Sequence, residues 1–353
     1  MKIAIDLTPL YNRKITGVEI YGIEFYEALL KTGEDIYPIF RVKNTIDDNR
    51  NAVIINVENR LVVENLLLSK EIRKGKFDVV FFPIFPPPFD IYSIKSLKVI
   101  PTIHDLTIFK YPNMLTLGAK YYLTPKYRVA LKYSDKILTI SESIKDELLS
   151  YTKKSIINWA NNISLDYYNT KNKIDEKYLT KWRLSKNNYF ISVSTIEPRK
   201  NFKYLLKIFE KTLQLNPDAK LVLVGRKGWG KDSELKMLID KLGESLIFTD
   251  FISTEELITL YHYAKAFFLL SIYEGFGRTP LEALAAGCKN IFVTDIPIFR
   301  ETMNDIATFL PLNALDESAK IVNEYDFFKA ETHSFQLPFS VLEYNVVSNI
   351  KDI

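Results

Sequence analysis

The chain has 353 residues, of which 25% are charged and 47% hydrophobic, and a formal net charge of +4. That length suits about two domains, the composition suits a globular protein, and so mild a positive balance gives no argument for nucleic acid. A single cysteine, Cys288, excludes an intrachain disulfide and fits a reducing compartment, and no apolar run nears the ~18 residues of a membrane span.

In chain order, short apolar runs alternate with amphipathic stretches, the pattern of βα units and mostly parallel sheets. Residues 2–5 open the first strand, so Met1-Lys-Ile-Ala-Ile-Asp6 is not a signal peptide. A helix over 21–30 follows the lone glycine of Thr16-Gly17. Strands are expected at 37–42, 53–57 and 79–82, with a helix over 61–72. The run Phe82-Pro-Ile-Phe-Pro-Pro-Pro-Phe89 cannot continue a central strand, because proline lacks the N–H. It reads as a rigid surface loop or as a lining for a site. Residues 99–103 form a strand that ends at His104-Asp105. The stretch 110–136 is basic and tyrosine-rich, with Lys110, Lys120, Lys126, Arg128, Lys132 and Lys136 against Asp135. Further strands lie at 137–141 and 156–160, and Ser141 caps the helix between them. The segment from 167 to about 188 is polar and lysine-rich, as a bridge between domains would be.

The second half repeats the alternation. Strands are expected at 189–195, 221–225, 246–251, 264–271 and 290–294, and a helix near 298–303. Asn201 opens a helix whose Phe202, Leu205, Leu206, Phe209 and Leu213 share one face. Asp232 caps another helix. Ser253-Thr-Glu-Glu256 is a capping box. Beyond 310 the signal weakens, apart from an amphipathic piece at 341–350. Of 12 glycines, seven fall between Gly225 and Gly287, at the ends of successive strands.

Four of these strand ends converge on one sheet edge: Glu197-Pro-Arg-Lys200, Gly225-Arg-Lys-Gly-Trp-Gly230, Phe251-Ile252-Ser253 and Glu274-Gly-Phe-Gly-Arg-Thr-Pro-Leu-Glu282. Ligands of open α/β sheets bind at that edge. Arg199 and Lys200 precede a helix N-terminus, so cations and dipole point at one place, which suits a diphosphate. Alone, the pair reads equally as solvated cations. A carboxylate accepts bonds from vicinal hydroxyls of a ribose or hexose, so two acids beside a basic pair suit a nucleotide sugar. Glu282 has a second reading, since Thr279-Pro-Leu-Glu282 is itself a capping box.

Glu274 and Glu282, eight residues apart within SIYEGFGRTPLEALAAGCKN, resemble the E-x7-E signature of the retaining GT-B glycosyltransferases of family GT4. Thr16-Gly17, His104-Asp105, SDKILTISE (134–142), TIEPRKN (195–201), LVLVGRKGWG (221–230) and TDIPIFRE (294–301) follow in that family's order, over about residues 1–310. The resemblance implies an α/β, GT-B fold: two Rossmann-like, doubly wound domains facing each other across a cleft. Residues 1–170 would form the acceptor-side domain, with a final helix at about 339–353 packing back on it. Residues 171–188 would be the linker and 189–338 the nucleotide-sugar-binding domain.

By the same resemblance, Lys200 matches the diphosphate-binding lysine, Glu274 the acid on the donor-sugar hydroxyls and Glu282 the acid on the ribose. Gly275, Phe276 and Gly277 present backbone N–H groups, and Ile252 lies where relatives contact the base. His104 and Asp105 match the active-site pair of the N-terminal domain. Gly17, Thr195, Gly225, Arg226 and Arg278 complete the donor-binding set. Thr195 stands where the family often has arginine, and Arg199 supplies that charge. Asn161-Asn162 replaces an Asn-Gly pair, Glu19 stands where relatives often carry a cation, and Phe339-Ser340-Val341 replaces a tryptophan.

The expected activity is transfer of a hexose, with retention, from an NDP-sugar to a hydroxyl of a growing cell-surface polysaccharide or lipid-linked oligosaccharide. No metal or other cofactor is required. The partners are the donor, the glycan or lipid-linked acceptor and, through 110–136, an anionic membrane; nucleic acid is not one. The expected location is cytoplasmic, peripheral on the inner face of the plasma membrane. Two alternatives stay open: another GT-B enzyme, a sugar phosphorylase or NDP-sugar epimerase, or a non-catalytic nucleotide-sugar-binding module.

Overall fold

The computed structural model describes residues 1–11, 15–42, 51–161, 163, 167, 173–226, 232–304, 306–327 and 341–353. Two compact units divide the chain, one of Met1–Asn162 with Pro338–Ile353 and the other of Ile163–Leu337. Among the described residues, no helix is long and apolar enough to cross a membrane.

The first unit holds β1 (Lys2–Asp6), β2 (Asp35–Arg41), β3 (Val53–Ile55), β4 (Val79–Phe82), β5 (Lys98–Ile103), β6 (Lys136–Thr139) and β7 (Ser155–Asn158). They form one parallel sheet in the order β3-β2-β1-β4-β5-β6-β7. Continuous runs such as Val79-Val-Phe-Phe82, buried along their length, are what a sheet covered on both faces requires. Phe25 of the helix Gly17–Leu30 packs on Phe81 and Trp159, with ring centroids 5.1 and 5.6 Å away. That helix starts at Thr16, whose N–H donates to Glu19 Oε2 at 3.1 Å. Glu19 is thus a buried cap partner of this turn. The last helix, Val341–Asn349, returns to the same unit. Glu343 pairs with Lys31 at 2.6 Å, and Asn345 Nδ2 donates to the Trp159 carbonyl.

Two sequence readings change here. The proline-rich loop after β4 is mostly buried, and the Pro83 carbonyl accepts from His104 Nε2. The basic stretch 110–136, which includes the helix Leu117–Tyr133, does not expose all its cations. Lys126 is 2% exposed, donates to Tyr122 Oη at 2.8 Å and lies 3.5 Å from Glu64 Oε2. A lysine is buried only when a carboxylate can meet it, and Glu64 lies on another element, out of reach of a helical pattern.

The second unit holds β8 (Tyr189–Val193), β9 (Lys220–Val224), β10 (Leu246–Asp250), β11 (Ala266–Leu269), β12 (Ile291–Thr294) and β13 (Thr308–Leu310), all parallel in the order β10-β9-β8-β11-β12-β13. The strand order reverses between β8 and β11, so helices leave their ends to opposite faces and a crevice opens there. The helix Phe202–Leu215 buries the face expected of it. Residues 173–188 pack on this unit: Asp175 N–H donates to Thr259 Oγ1, and Lys181 Nζ to Glu256. Glu256 therefore does not close the expected capping box; Ser253 alone caps, accepting from Glu256 N–H at 3.2 Å. The strand β13 and the helix Leu315–Glu324 were not foreseen.

Candidate active site

The site builds from the two neighbouring strands at the crevice. After β8 the chain turns through Glu197 and the short turn Pro198–Lys200 into the helix Phe202–Leu215. After β11 it runs Leu270 to Gly277 before the helix Arg278–Ala285. The two loops are stitched by Ile272 N–H donating to the Arg199 carbonyl at 3.0 Å. Their side chains then meet. Glu274, 7% exposed, accepts from Lys200 Nζ at 2.5 Å and Ser271 Oγ at 2.6 Å on Oε1, and from Arg199 Nη1 at 2.8 Å on Oε2. Arg199 is held on its other side by the Tyr273 carbonyl and Glu197 Oε1, both at 2.9 Å.

The electrostatics follow from this packing. Burial alone would raise the Glu274 carboxyl, but the charges of Lys200 and Arg199 outweigh it and hold it at about 2. Lys200 is pushed below its ordinary value by burial and by Arg199 beside it, against the pull of Glu274. The carboxylate is thus permanently ionised, immobile and charge-compensated. It is a strong hydrogen-bond acceptor and a poor nucleophile. The sequence brought Arg199, Lys200 and Glu274 to one sheet edge; in the structure all three touch.

Gly277 is the first residue of the helix cap. Its φ is +79°, and a Cβ there would stand 2.5 Å from Phe299 Cε1. A side chain is excluded by backbone and by space. The helix starts at Arg278 with no side-chain cap, so the capping box proposed for Thr279 and Glu282 is absent. Pro280 fits inside this first turn because its missing N–H has no partner to lose there. Glu282, 6% exposed, lies one turn on, with Arg278 Nε 3.5 Å from its Oε1. Gly275 and Phe276 are buried beside them.

The remaining expected donor-side residues line the same edge. Thr195 is exposed after β8. The carbonyl of Arg226 accepts from Ile196 N–H, and Gly225 N–H donates to the Asp250 carbonyl. A Cβ on Gly225 would stand 2.3 Å from the Ser194 carbonyl oxygen, so this crossing needs glycine. Ile252 precedes the cap Ser253 and is half-buried. Residues 227–231 of the glycine loop lie outside the described residues, as do Asn162, Phe339 and Ser340.

His104, Asp105 and Gly17 belong to the first unit. His104 is buried, stands edge-on to Tyr21 at 4.9 Å and bonds the Pro83 carbonyl through Nε2 at 2.6 Å. A carbonyl only accepts, so Nε2 carries the proton and Nδ1 the lone pair. Burial lowers its affinity for a second proton. Asp105 Oδ1 accepts from Thr107 N–H at 2.8 Å. Gly17 begins the helix Gly17–Leu30 and is exposed.

Sequence reasoning missed Ser271 and Glu197, the polar partners that complete the cluster. The serine ending the apolar run before the loop was the available signal for the first.

A family model described as glycosyl transferases group 1 matches residues 175–323. The O-antigen chain mannosyltransferase RfbU of Salmonella typhimurium is 30% identical over 314 residues, 84% of this chain and 83% of that one. O-antigen chain mannosyltransferase B of Escherichia coli is 28% identical over 229 residues, 62% of this chain and 58% of that one, so under two thirds of that relative is spanned. Among solved structures, a sucrose-phosphate synthase from Thermosynechococcus elongatus aligns at TM-score 0.70 and 15% identity, over 99% of this chain and 94% of that one. WaaG, a glycosyltransferase of lipopolysaccharide biosynthesis, aligns at 0.67 and 15%, over 99% and 95%. This likeness establishes the GT-B fold.

Proposed function

The chain belongs to the group 1 glycosyltransferases, and from that premise we propose that it moves a hexose, with retention, from a nucleoside-diphosphate sugar to a hydroxyl of a glycan or lipid-linked acceptor. The observation that carries the reading is the Arg199–Lys200 clamp on Glu274, set at the carboxyl ends of β8 and β11 beside a helix N-terminus. Cations fixed before the substrate arrives stabilise a departing diphosphate without reorganising. Glu274 Oε2 takes one bond among the described residues. A carboxylate oxygen can take a second, from a sugar hydroxyl. Glu282 takes the ribose and the backbone N–H groups of Gly275 to Gly277 the sugar or phosphate. By the resemblance, His104 serves the reaction as an acceptor through Nδ1. Glu274 orients the sugar rather than attacking it, so the acceptor hydroxyl attacks from the face the diphosphate leaves, and the diphosphate takes its proton. No metal enters this scheme.

The names of the relatives favour mannose as the sugar and a cell-surface polysaccharide as the product. The test is a donor-hydrolysis screen of GDP-, UDP- and dTDP-sugars with wild type and Glu274→Gln. Turnover of GDP-mannose by the wild type alone is expected. No turnover of any donor by the wild type, or equal turnover by the variant, sinks the reading.

The acceptor's carrier is proposed to reach the protein at an anionic membrane through 110–136. Leu117 and Tyr121 are each 72% exposed on that helix, an apolar pair beside basic residues. Sedimentation with vesicles containing anionic lipid, against neutral vesicles, decides this; no difference at low salt refutes it.

A further inference from the structure

The first sheet has a switch point of its own, and the geometry points to Arg60 as the residue that grips an oxyanion of the acceptor there, with Glu64 holding it in position. The strand order β3-β2-β1-β4-β5-β6-β7 reverses between β1 and β4, so a crevice opens at their carboxyl ends. The loop that leaves β4 packs on the helix that follows β1: a Cβ on Gly22 would stand 2.6 Å from Ile84 Cγ1. Pro83, at the start of this loop, holds His104 through its carbonyl. Phe85, two residues on, lies under Arg60, whose guanidinium carbon is 4.1 Å from the ring centroid.

Arg60 is fixed from two sides. The ring of Phe85 sets the plane of its guanidinium. Its Nε pairs with Glu64, which is buried. Glu64 is fixed in turn: Tyr122 Oη donates to its Oε2 at 2.9 Å, and Lys126 Nζ stands 3.5 Å from the same oxygen. Val63–Leu67, which carries Glu64, is a π-helical turn, a rare geometry concentrated at functional sites. Desolvation offsets most of the attraction within a buried charge network. What this one supplies is the orientation of Arg60.

Arg60 is also the part of the network that solvent reaches. Its side chain is 31% exposed, against 8% for Glu64 and 1% for Lys126. Glu64 takes Nε, while Nη1 and Nη2 donate to no group among the described residues. A guanidinium held in one plane with its outer N–H groups open matches two oxygens of a phosphate or a carboxylate. A glycosyl acceptor can carry either, the phosphate that joins a glycan to its lipid or the carboxylate of an acidic sugar. An acceptor anchored by that group lies one short loop from His104. Only in calling the ligand an acceptor does the inference rest on the transfer reading; the oxyanion contact stands without it.

The test is calorimetric titration of the full chain, without donor, with octyl mannosyl phosphate, octyl glucuronide and the neutral octyl mannoside. At least one anionic probe is expected to bind about tenfold more tightly than the neutral one, and which one does so tells phosphate from carboxylate. Arg60→Gln should abolish this preference and Arg60→Lys should keep part of it, both with melting temperatures near that of the wild type. Glu64→Gln should reduce the preference while the neutral probe binds unchanged, which a merely structural role would not produce. Lys200→Ala, at the donor end, should bind all three probes as the wild type does. Equal affinity for charged and neutral probes overturns the proposal. So does a preference that survives Arg60→Gln or disappears in Lys200→Ala. Donor hydrolysis in the absence of acceptor reports on the transfer reading separately, so either can fail alone.

Discussion

Lys200 Nζ and Glu274 Oε1 stand 2.5 Å apart, with 14% and 8% of their side chains exposed, so the centre of the cluster is an ion pair without any ligand. The pair is shared: Arg199 holds the other oxygen of the same carboxylate. Removing the carboxylate strands Lys200 and leaves Arg199 with Glu197 alone, and removing either cation weakens the hold on the other oxygen.

Glu274→Gln keeps the shape and removes the charge. It should lower turnover on the order of a hundredfold, as loss of one preorganised group does, and destabilise the fold on the order of 3 kcal/mol, because the buried Lys200 is left uncompensated. Steady-state kinetics and denaturant unfolding measure the two effects. A variant with wild-type turnover contradicts the placement of Glu274 on the donor. Lys200→Ala should cut turnover comparably, and added guanidinium or amine should restore part of it.

The acid limb of stability follows from the same carboxyl. Its folded pKa of about 2 lies below the ordinary 4.5. The stabilisation is therefore complete above about pH 4.5 and is lost as pH falls toward 2, by roughly 3 kcal/mol in total. Comparing unfolding free energies of wild type and Glu274→Gln across this window isolates the effect, since all other groups cancel. Parallel curves would show that the pair does not hold the carboxyl down.

His104 adds to the same acid limb, at higher pH. Burial pushes its folded pKa below 6.5, so the folded state binds fewer protons than the unfolded one and stability falls as pH drops through that value. Long-range nitrogen–proton spectra, simplified by only three histidines, should show the Nε2–H tautomer and a midpoint below 6.5. An Nδ1–H pattern would rule out the Pro83 carbonyl as its acceptor.

Gly277→Ala tests the loop that presents Glu274. The positive φ and the 2.5 Å approach to Phe299 act together, and a loss of about 1–3 kcal/mol is expected. Phe299→Leu in the same chain should recover the steric share but not the backbone share. A double-mutant cycle of melting temperatures separates them; strict additivity would mean that the alanine does not press on Phe299.

Twelve of the strands were legible because a parallel sheet buries both faces and writes each strand as an unbroken apolar run. The strand Thr308–Leu310 escaped because Phe309 and Leu310 alone make no run, whereas the equally short edge strand Val53–Ile55 is apolar throughout. Gly277 was read as loop and Thr279 as the cap, since a left-handed glycine cap leaves no acceptor side chain to recognise. The motif spacing brought Arg199, Lys200 and Glu274 to one sheet edge, yet not to contact. Whether neighbouring loops touch depends on the crossing of β8 with β11, which spacing does not encode. Lys126 failed for a related reason: a buried charge is defined by its distant partner, Glu64, while helical periodicity reports only on neighbours.

The clamp also orders events during folding. Lys200 and Glu274 are 74 positions apart in the chain, and three strand-forming segments, β9, β10 and β11, lie between them. A nascent chain that has released β8, β9 and β10 carries Arg199 with Glu197 beside it, but Lys200 without the carboxylate that meets it. The pair closes only when β11 docks beside β8, against the full loop-closure cost of that long excursion. The charged cluster is therefore complete only with the fourth strand of the unit. A lesion that delays the docking of β11 would leave a sheet that is partly assembled and already inert.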